Sequence, residues 1–116
     1  MVFPFRSLED FKIVFEPGHE ELRKRARGFA ETELKPKLFR IEKTGEIPRE
    51  LITKAGAEGF LGIGIPETYG GVGGDLRDLA IVIEEIARIS PAFGLTILIT
   101  YLFTIPILLH GTEEQK

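Results

Sequence analysis

An all-α fold is what this sequence predicts, on three observations. Apolar residues recur at spacings of three and four through most of the chain, no stretch alternates apolar and polar residues over a convincing strand length, and glycine and proline gather between the periodic stretches. With 116 residues and 43% hydrophobic content, the chain makes one domain, residues 1–116, that buries roughly two-thirds of the surface it exposes when unfolded. The expected architecture is an up-and-down, bundle-like arrangement of about five to six helices with one long ordered loop rich in glycine and proline.

The first helix opens at Pro17 and places Leu22, Ala26, Phe29, Ala30 and Leu34 on an inner face, with Glu21, Lys24, Arg25 and Glu31 between them. Pro36 falls inside that pattern. Lacking an amide hydrogen and crowding the preceding turn, it should kink or divide the helix before Leu38, Phe39 and Ile41 resume the spacing and Gly45 ends it. Pro48 suits the first turn of a second helix, where a missing donor costs nothing, and Leu51, Ile52 and Ala55 form its inner face up to Gly56 or Gly59. Asp75 caps a third helix through Leu79, Val82, Ile83 and Ile86, with Glu84 and Arg88 expected to pair at i,i+4 on its outer side. Ser90-Pro91 starts a fourth helix, which Pro106 should interrupt near its end. After Gly111, Thr112 and Gln115 read as a cap and capping-box residue opening a further helix. A capping motif without a helix body stabilises little, so the chain reads as the front of something longer.

Between the second and third helices lies Gly59 to Asp75, GFLGIGIPETYGGVGGD, in which eight of seventeen residues are glycine or proline. A flexible spacer would be glycine and serine; here Phe60, Leu61, Ile63, Ile65, Tyr69 and Val72 give the segment apolar groups to bury, so a packed loop is expected. Its glycines do not make a nucleotide cradle. Gly71-x-Gly73 meets Leu76 where the dinucleotide fingerprint needs a third glycine, the Lys and Ser/Thr of a phosphate loop are missing, and Asp75 would repel an anion.

Composition narrows the function. Fifteen basic and eighteen acidic residues give a net charge of -3, without the basic excess that a nucleic-acid groove needs. The absence of cysteine removes disulfides, thiolate metal sites and a cysteine nucleophile, and suits a reducing cytoplasm, the expected location. The amino terminus MVFPFRSLED meets acidic residues too early for a secretory hydrophobic region. Phe93 to Leu109 is seventeen residues without a charge, at the low edge of a membrane span. Thr96, Thr100 and Thr104 on one face, Pro106, and flanks without a basic cluster favour a helix enclosed by protein over stable insertion.

Catalytic chemistry is sparse. His19 and His110 lack metal-ligand spacing and are expected to be structural or exposed, with no metal site. Glu84 and Glu85 are neighbours that point about 100° apart on a helix and do not converge on one substrate bond; an outer ion pair plus a partly buried carboxylate is the simpler reading. Ser7 and Ser90 have no histidine near them in sequence. The best binding candidate is one face of the fourth helix: Gly94, Leu95, Leu98, Ile99 and Leu102 follow the i, i+1, i+4, i+5, i+8 spacing. On periodicity alone the favoured reading of this face is ordinary core packing, with the lining of an apolar pocket as the alternative.

At these residues the sequence resembles the N-terminal helical domain of acyl-CoA dehydrogenases. The segments that carry the resemblance, in order, are FAETELKPKL, TGEIPRELI, GFLGIGIPETYGGVGGD, IVIEEIAR and IPILLHGTEEQK, together covering about residues 20–116. The resemblance implies an FAD flavoprotein that oxidises acyl-CoA thioesters to trans-2-enoyl-CoA, with a glutamate base, hydride transfer to flavin N5 and reoxidation by electron-transferring flavoprotein. It implies three domains and an oligomer, with the base and most FAD contacts on the middle β and C-terminal helical domains, so no residue here inherits the base role and the chain is expected to be inactive alone. It also makes Gly94, Leu95, Leu98, Ile99 and Leu102 one wall of the acyl pocket. Ile97, Leu98, Ile99, Tyr101, Leu102 and Phe103 make this helix greasier than the family pattern, so a helix left uncovered would favour self-association or a partner, the missing domains or a co-encoded chain. A non-catalytic helical interaction module is the other reading.

Overall fold

The computed structural model describes residues 15–116, so Ser7 and the MVFPFRSLED segment lie outside the described residues. Helix α1, Pro17–Phe29, begins where the Glu16 amide donates to His19 Nδ1 at 2.7 Å, and the edge of the His19 ring meets Phe15 at 5.7 Å. The chain then widens. Ala30–Leu34 is a π turn, in which the Lys35 amide reaches back to the Ala30 carbonyl, and Lys35–Lys37 is a 3₁₀ turn. Pro36 explains both: it has no amide to give, and the altered winding admits its ring without separating α1 from α2, Leu38–Thr44. Gly45 stops α2 in the left-handed region (φ 70°), its amide bonded to the Ile41 carbonyl at 2.8 Å.

Helix α3, Arg49–Ala57, follows directly after Pro48 and ends as the Phe60 amide returns to the Ala55 carbonyl at 3.0 Å. The glycine-rich loop folds back on itself. The Val72 amide bonds the Gly62 carbonyl at 3.0 Å, the Gly73 amide bonds the Ile65 carbonyl at 2.9 Å, and the Gly64 amide bonds the Gly73 carbonyl at 2.6 Å, the last belonging to an isolated parallel bridge between Ile63 and Gly73. Gly71 is where glycine is required: a Cβ there would stand 2.0 Å from the Ile65 carbonyl oxygen. The loop's first half is thus packed, with Phe60 and Ile63 buried and Leu61 and Ile65 half-buried, whereas Tyr69 and Val72, also expected to be buried, are exposed on its outer turn.

Asp75 caps α4, Leu76–Ala87, accepting from the Arg77 amide at 2.8 Å, and the Asp75 amide donates to the Asp78 carboxylate at 2.8 Å. Ser90 caps α5, Pro91–His110, through a 3.3 Å bond from the Phe93 amide. The expected interruption at Pro106 does not occur; α5 runs through it. Pro106 deprives the Leu102 carbonyl of its donor, but Leu102 is 65% exposed, so solvent is at hand to take the bond's place.

All five α-helices are accounted for as four rods among the described residues, because α1 and α2 are continuous, against the five to six helices expected. The helix anticipated beyond Thr112 is only a turn, in which the Thr112 amide and Gln115 Oε1 meet at 2.9 Å and the Gln115 amide and Thr112 Oγ1 at 3.3 Å. No strand is present among the described residues, so the class is all-α. Helix α4 lies at the centre, packed on α1 and α5. Three rings lock the helices to the loop: Phe29 meets Phe60 edge-on at 5.5 Å and stacks with Phe93 at 6.2 Å, above Leu34, Leu51, Val82, Ile86 and Ile97.

Candidate functional site

Helix α5 divides into unlike faces. Phe93, Gly94, Ile97 and Tyr101 enter the core. The threonines form a stripe that needs no partner, each hydroxyl donating to the carbonyl four residues back: Thr96 to Ala92 at 3.0 Å, Thr100 to Thr96 at 3.1 Å and Thr104 to Thr100 at 2.9 Å. Leu95, Leu98, Ile99, Leu102 and Phe103 make the outer face, and all are exposed. Only 22% of the helix's most apolar stretch is buried. The expectation of a helix enclosed by protein therefore fails within this chain, because α4, the loop and Phe29 of α1 together cover only one side of it. By length and composition the helix is also long and apolar enough to cross a membrane.

The five expected wall residues separate accordingly. Leu95, Leu98, Ile99 and Leu102 share the outward face; Gly94 does not, being buried where α5 crosses Ala87 of α4. Two clefts flank the second half of α5. One, of about 250 Å³, lies between Ile65 and Tyr69 of the loop and Phe103, Thr104 and Ile107 of the helix. The other, of about 230 Å³, is lined by Ile63, Leu79, Tyr101 and Ile105. Sequence reasoning missed both, since they depend on the loop folding back against α5. The Tyr101 hydroxyl donates to the Phe60 carbonyl at 3.2 Å, and burial pushes its pKa up to about 12, so it is a fixed neutral donor. Tyr69 and Glu113, joined at 2.7 Å, close the loop onto the C-terminal turn.

The polar clusters are structural. Glu85 is buried, not partly so as expected, and accepts from Arg27 at 2.9 and 3.0 Å, Arg23 at 2.7 Å and Arg88 at 3.1 Å. The Arg27 bonds, supported by Arg23, hold its carboxyl at about 2 although burial acts the other way. Arg88 thus pairs with Glu85 and not with Glu84, which instead takes Arg23 at 2.9 Å. A helix face turned toward α1 puts Glu85, four residues after buried Ile81, within reach of that helix's arginines; the Ile81-Glu85 spacing was the available signal. A carboxylate so engaged has no free lone pair for acid-base work.

His19, Asp75 and Asp78 bring potential ligand atoms within 4.8 Å of one another. Because His19 Nδ1 accepts the Glu16 amide, its proton sits on Nε2, facing Asp78 Oδ1 at 3.4 Å, while Arg77 holds Asp75 at 2.8 and 3.0 Å. The cluster is committed to hydrogen bonds. His19 is buried, His110 is exposed, and Ser90 is a buried cap. The start of α4 does not fit a flavin diphosphate either: its Arg77 and Asp78 amides are already taken by the Asp75 carboxylate, which would itself repel phosphate. What this chain offers chemically is an apolar wall and a rigid frame behind it.

Comparison with known proteins places that frame among relatives. The family model described as acyl-CoA dehydrogenase, N-terminal domain, matches residues 16–116. A 3-(aryl)acrylate reductase of Clostridium sporogenes is 43% identical over 90% of this chain and 28% of its own length. An acyl-CoA dehydrogenase of Bacillus subtilis is 46% identical over 82% of this chain and 25% of its own. Among solved structures, a chain from work on the electron transferring flavoprotein of Acidaminococcus fermentans and flavin-based electron bifurcation superposes with a TM-score of 0.82 at 34% identity, covering 87% of this chain and 27% of that one. The chain therefore spans about a quarter of the length of these relatives.

Proposed function

Because this chain belongs to the acyl-CoA dehydrogenase family, whose N-terminal domain it carries, we propose that it serves as the N-terminal portion of an FAD-dependent enzyme that introduces a double bond into acyl-CoA thioesters. The observation that carries this is the outer face of α5, where Leu95, Leu98, Ile99 and Leu102 stand uncovered on a helix whose other side is fixed in the core. Such a face is worth burying: apolar surface gains about 25 cal/mol per Å² on leaving water, and an acyl chain laid along it makes no demand for hydrogen bonds.

The division of labour rests on the family resemblance, which assigns the base and the FAD site to later domains that this chain would meet in the same polypeptide or as a co-encoded partner. It is supported by Glu85 being locked to three arginines and by an α4 N-terminus whose amides are already taken. This chain's part is to bind and orient: Ser90 and the Phe29, Phe60 and Phe93 rings fix the start of α5, and Tyr101 fixes its middle, so that the wall is rigid when substrate arrives. Alone it is inactive. We place the assembled protein in the cytoplasm as an oligomer, without nucleic acid and without stable membrane insertion.

The test is an absorbance spectrum of the purified chain, alone and mixed with the FAD-loaded later domains, followed by addition of octanoyl-CoA under anaerobic conditions. Flavin bands that co-purify only with the mixture and bleach with the thioester support the proposal. A chain that neither joins those domains nor changes their bleaching favours the non-catalytic interaction module, for which the same exposed apolar face would be the contact surface.

A further inference from the structure

We infer that the carbonyl of Leu102, freed by Pro106, is the anchor at which the later domains seat on this chain, and that they meet it with a neutral hydrogen-bond donor set among apolar groups. The inference rests on the proposed assembly and adds to it where the acyl wall ends and the domain contact begins. Pro106 has no amide to give, so the Leu102 carbonyl lacks the bond that a helix supplies from four residues on. The threonines of α5 do not replace it, because the hydroxyls of Thr96, Thr100 and Thr104 are spent on the Ala92, Thr96 and Thr100 carbonyls. In the chain by itself water takes the place, since Leu102 and Pro106 are both exposed. Once another domain covers this face, an acceptor left without a partner weakens the contact roughly tenfold, so a stable cover has to bring a donor.

Direction separates this acceptor from the acyl wall. Side chains on a helix lean toward its N-terminus and carbonyls point toward its C-terminus, so the Leu102 side chain leans back over Leu98 and Ile99 while its carbonyl faces Pro106. Leu102, Pro106 and Leu109 follow the i, i+4, i+7 spacing of one stripe, and all three are exposed. An acyl chain has no donor and suits the half of α5 before this carbonyl; the half after it is apolar surface around a single acceptor. Phe93 to Leu109 carries no charge, so a lysine or arginine laid there would give up its water without a counter-ion. A hydroxyl, an amide, an indole or a backbone N–H meets the acceptor without that cost.

The experiment titrates this chain, as wild type, Pro106→Ala and Pro106→Val, with the FAD-loaded later domains by calorimetry, and then follows flavin bleaching against octanoyl-CoA concentration with the domains bound. Both substitutions restore an amide at residue 106, and valine also keeps apolar bulk there. Expected for both variants is a higher thermal midpoint of the chain alone, because the helix regains its bond, together with roughly tenfold weaker binding of the later domains. The KM for octanoyl-CoA should be unchanged once they are bound. Wild-type affinity in Pro106→Val overturns the inference, whether or not Pro106→Ala binds weakly, since the freed carbonyl would then not be what the domains read. A KM that rises while affinity holds overturns it too, and makes the acceptor a substrate contact. Later domains that do not bind the wild-type chain overturn it outright. An assembly that forms but does not bleach overturns the enzyme reading, while the affinities of the two variants still decide this inference.

Discussion

The Tyr101 hydroxyl donates to the Phe60 carbonyl at 3.2 Å, both groups buried, and this bond joins the middle of α5 to the first turn of the glycine-rich loop. Forty-one residues separate the partners, and through them the loop fixes the helix that carries the outward apolar face. Tyr101→Phe leaves the ring in place and strands a buried carbonyl, so it should cost about 1–2 kcal/mol. Urea denaturation of the chain reads this as a lower midpoint with an unchanged slope.

Gly70 and Gly71 are neighbours with different reasons to be glycine. Gly70 has φ 86° and nothing near its missing Cβ, so Gly70→Ala costs about 1 kcal/mol of backbone strain. At Gly71 a Cβ would strike the Ile65 carbonyl, part of the loop's own closure, and Gly71→Ala should cost about 3 kcal/mol or more, or prevent the loop from closing. Paired thermal melts of the two variants decide it; equal losses would mean the loop adapts more easily than its hydrogen bonds indicate.

Glu85 makes the fold acid-sensitive. Its folded-state pKa of about 2 lies below the roughly 4.3 of an unfolded glutamate, so its contribution is fully present above the unfolded value and is lost as pH falls from there through the folded value. Thermal midpoints measured down that range should fall more steeply for wild type than for Glu85→Gln. At neutral pH, Glu85→Ala should cost about 2–3 kcal/mol, below the most severe buried-pair losses because Arg27 and Arg88 are half exposed and rehydrate.

Much of the fold is legible in the sequence because it is decided locally. Gly45 ends a helix by its left-handed turn, Asp75 and Ser90 start helices with their own side-chain oxygens, and Phe60 and Ile63 foretell the packing of the loop's first half. What the sequence leaves open depends on distant partners. Pro36 announces a break, but the neighbouring turns decide that it becomes a π turn and a 3₁₀ turn within one rod. Glu85 reads as half exposed until Arg23 and Arg27, some sixty positions away, are brought over it. The same holds for the site. The apolar repeat from Leu95 to Leu102 is plain in the sequence, whereas its exposure, and the turning of Gly94 away from it toward Ala87, follow only from where α4 lies.

The central claim, that the outer face of α5 is one wall of an acyl pocket, is tested most directly by Leu98→Asp. Leu98 is 36% exposed in this domain, so the variant chain should stay folded at a cost of about 1–2 kcal/mol. In the assembly with the FAD-loaded later domains, the measurement is the rate of flavin bleaching against octanoyl-CoA concentration. The account predicts unchanged flavin content with a KM raised at least tenfold, because an acyl chain cannot hydrate a carboxylate pressed against it. Bleaching that follows the wild-type curve at every concentration would contradict it.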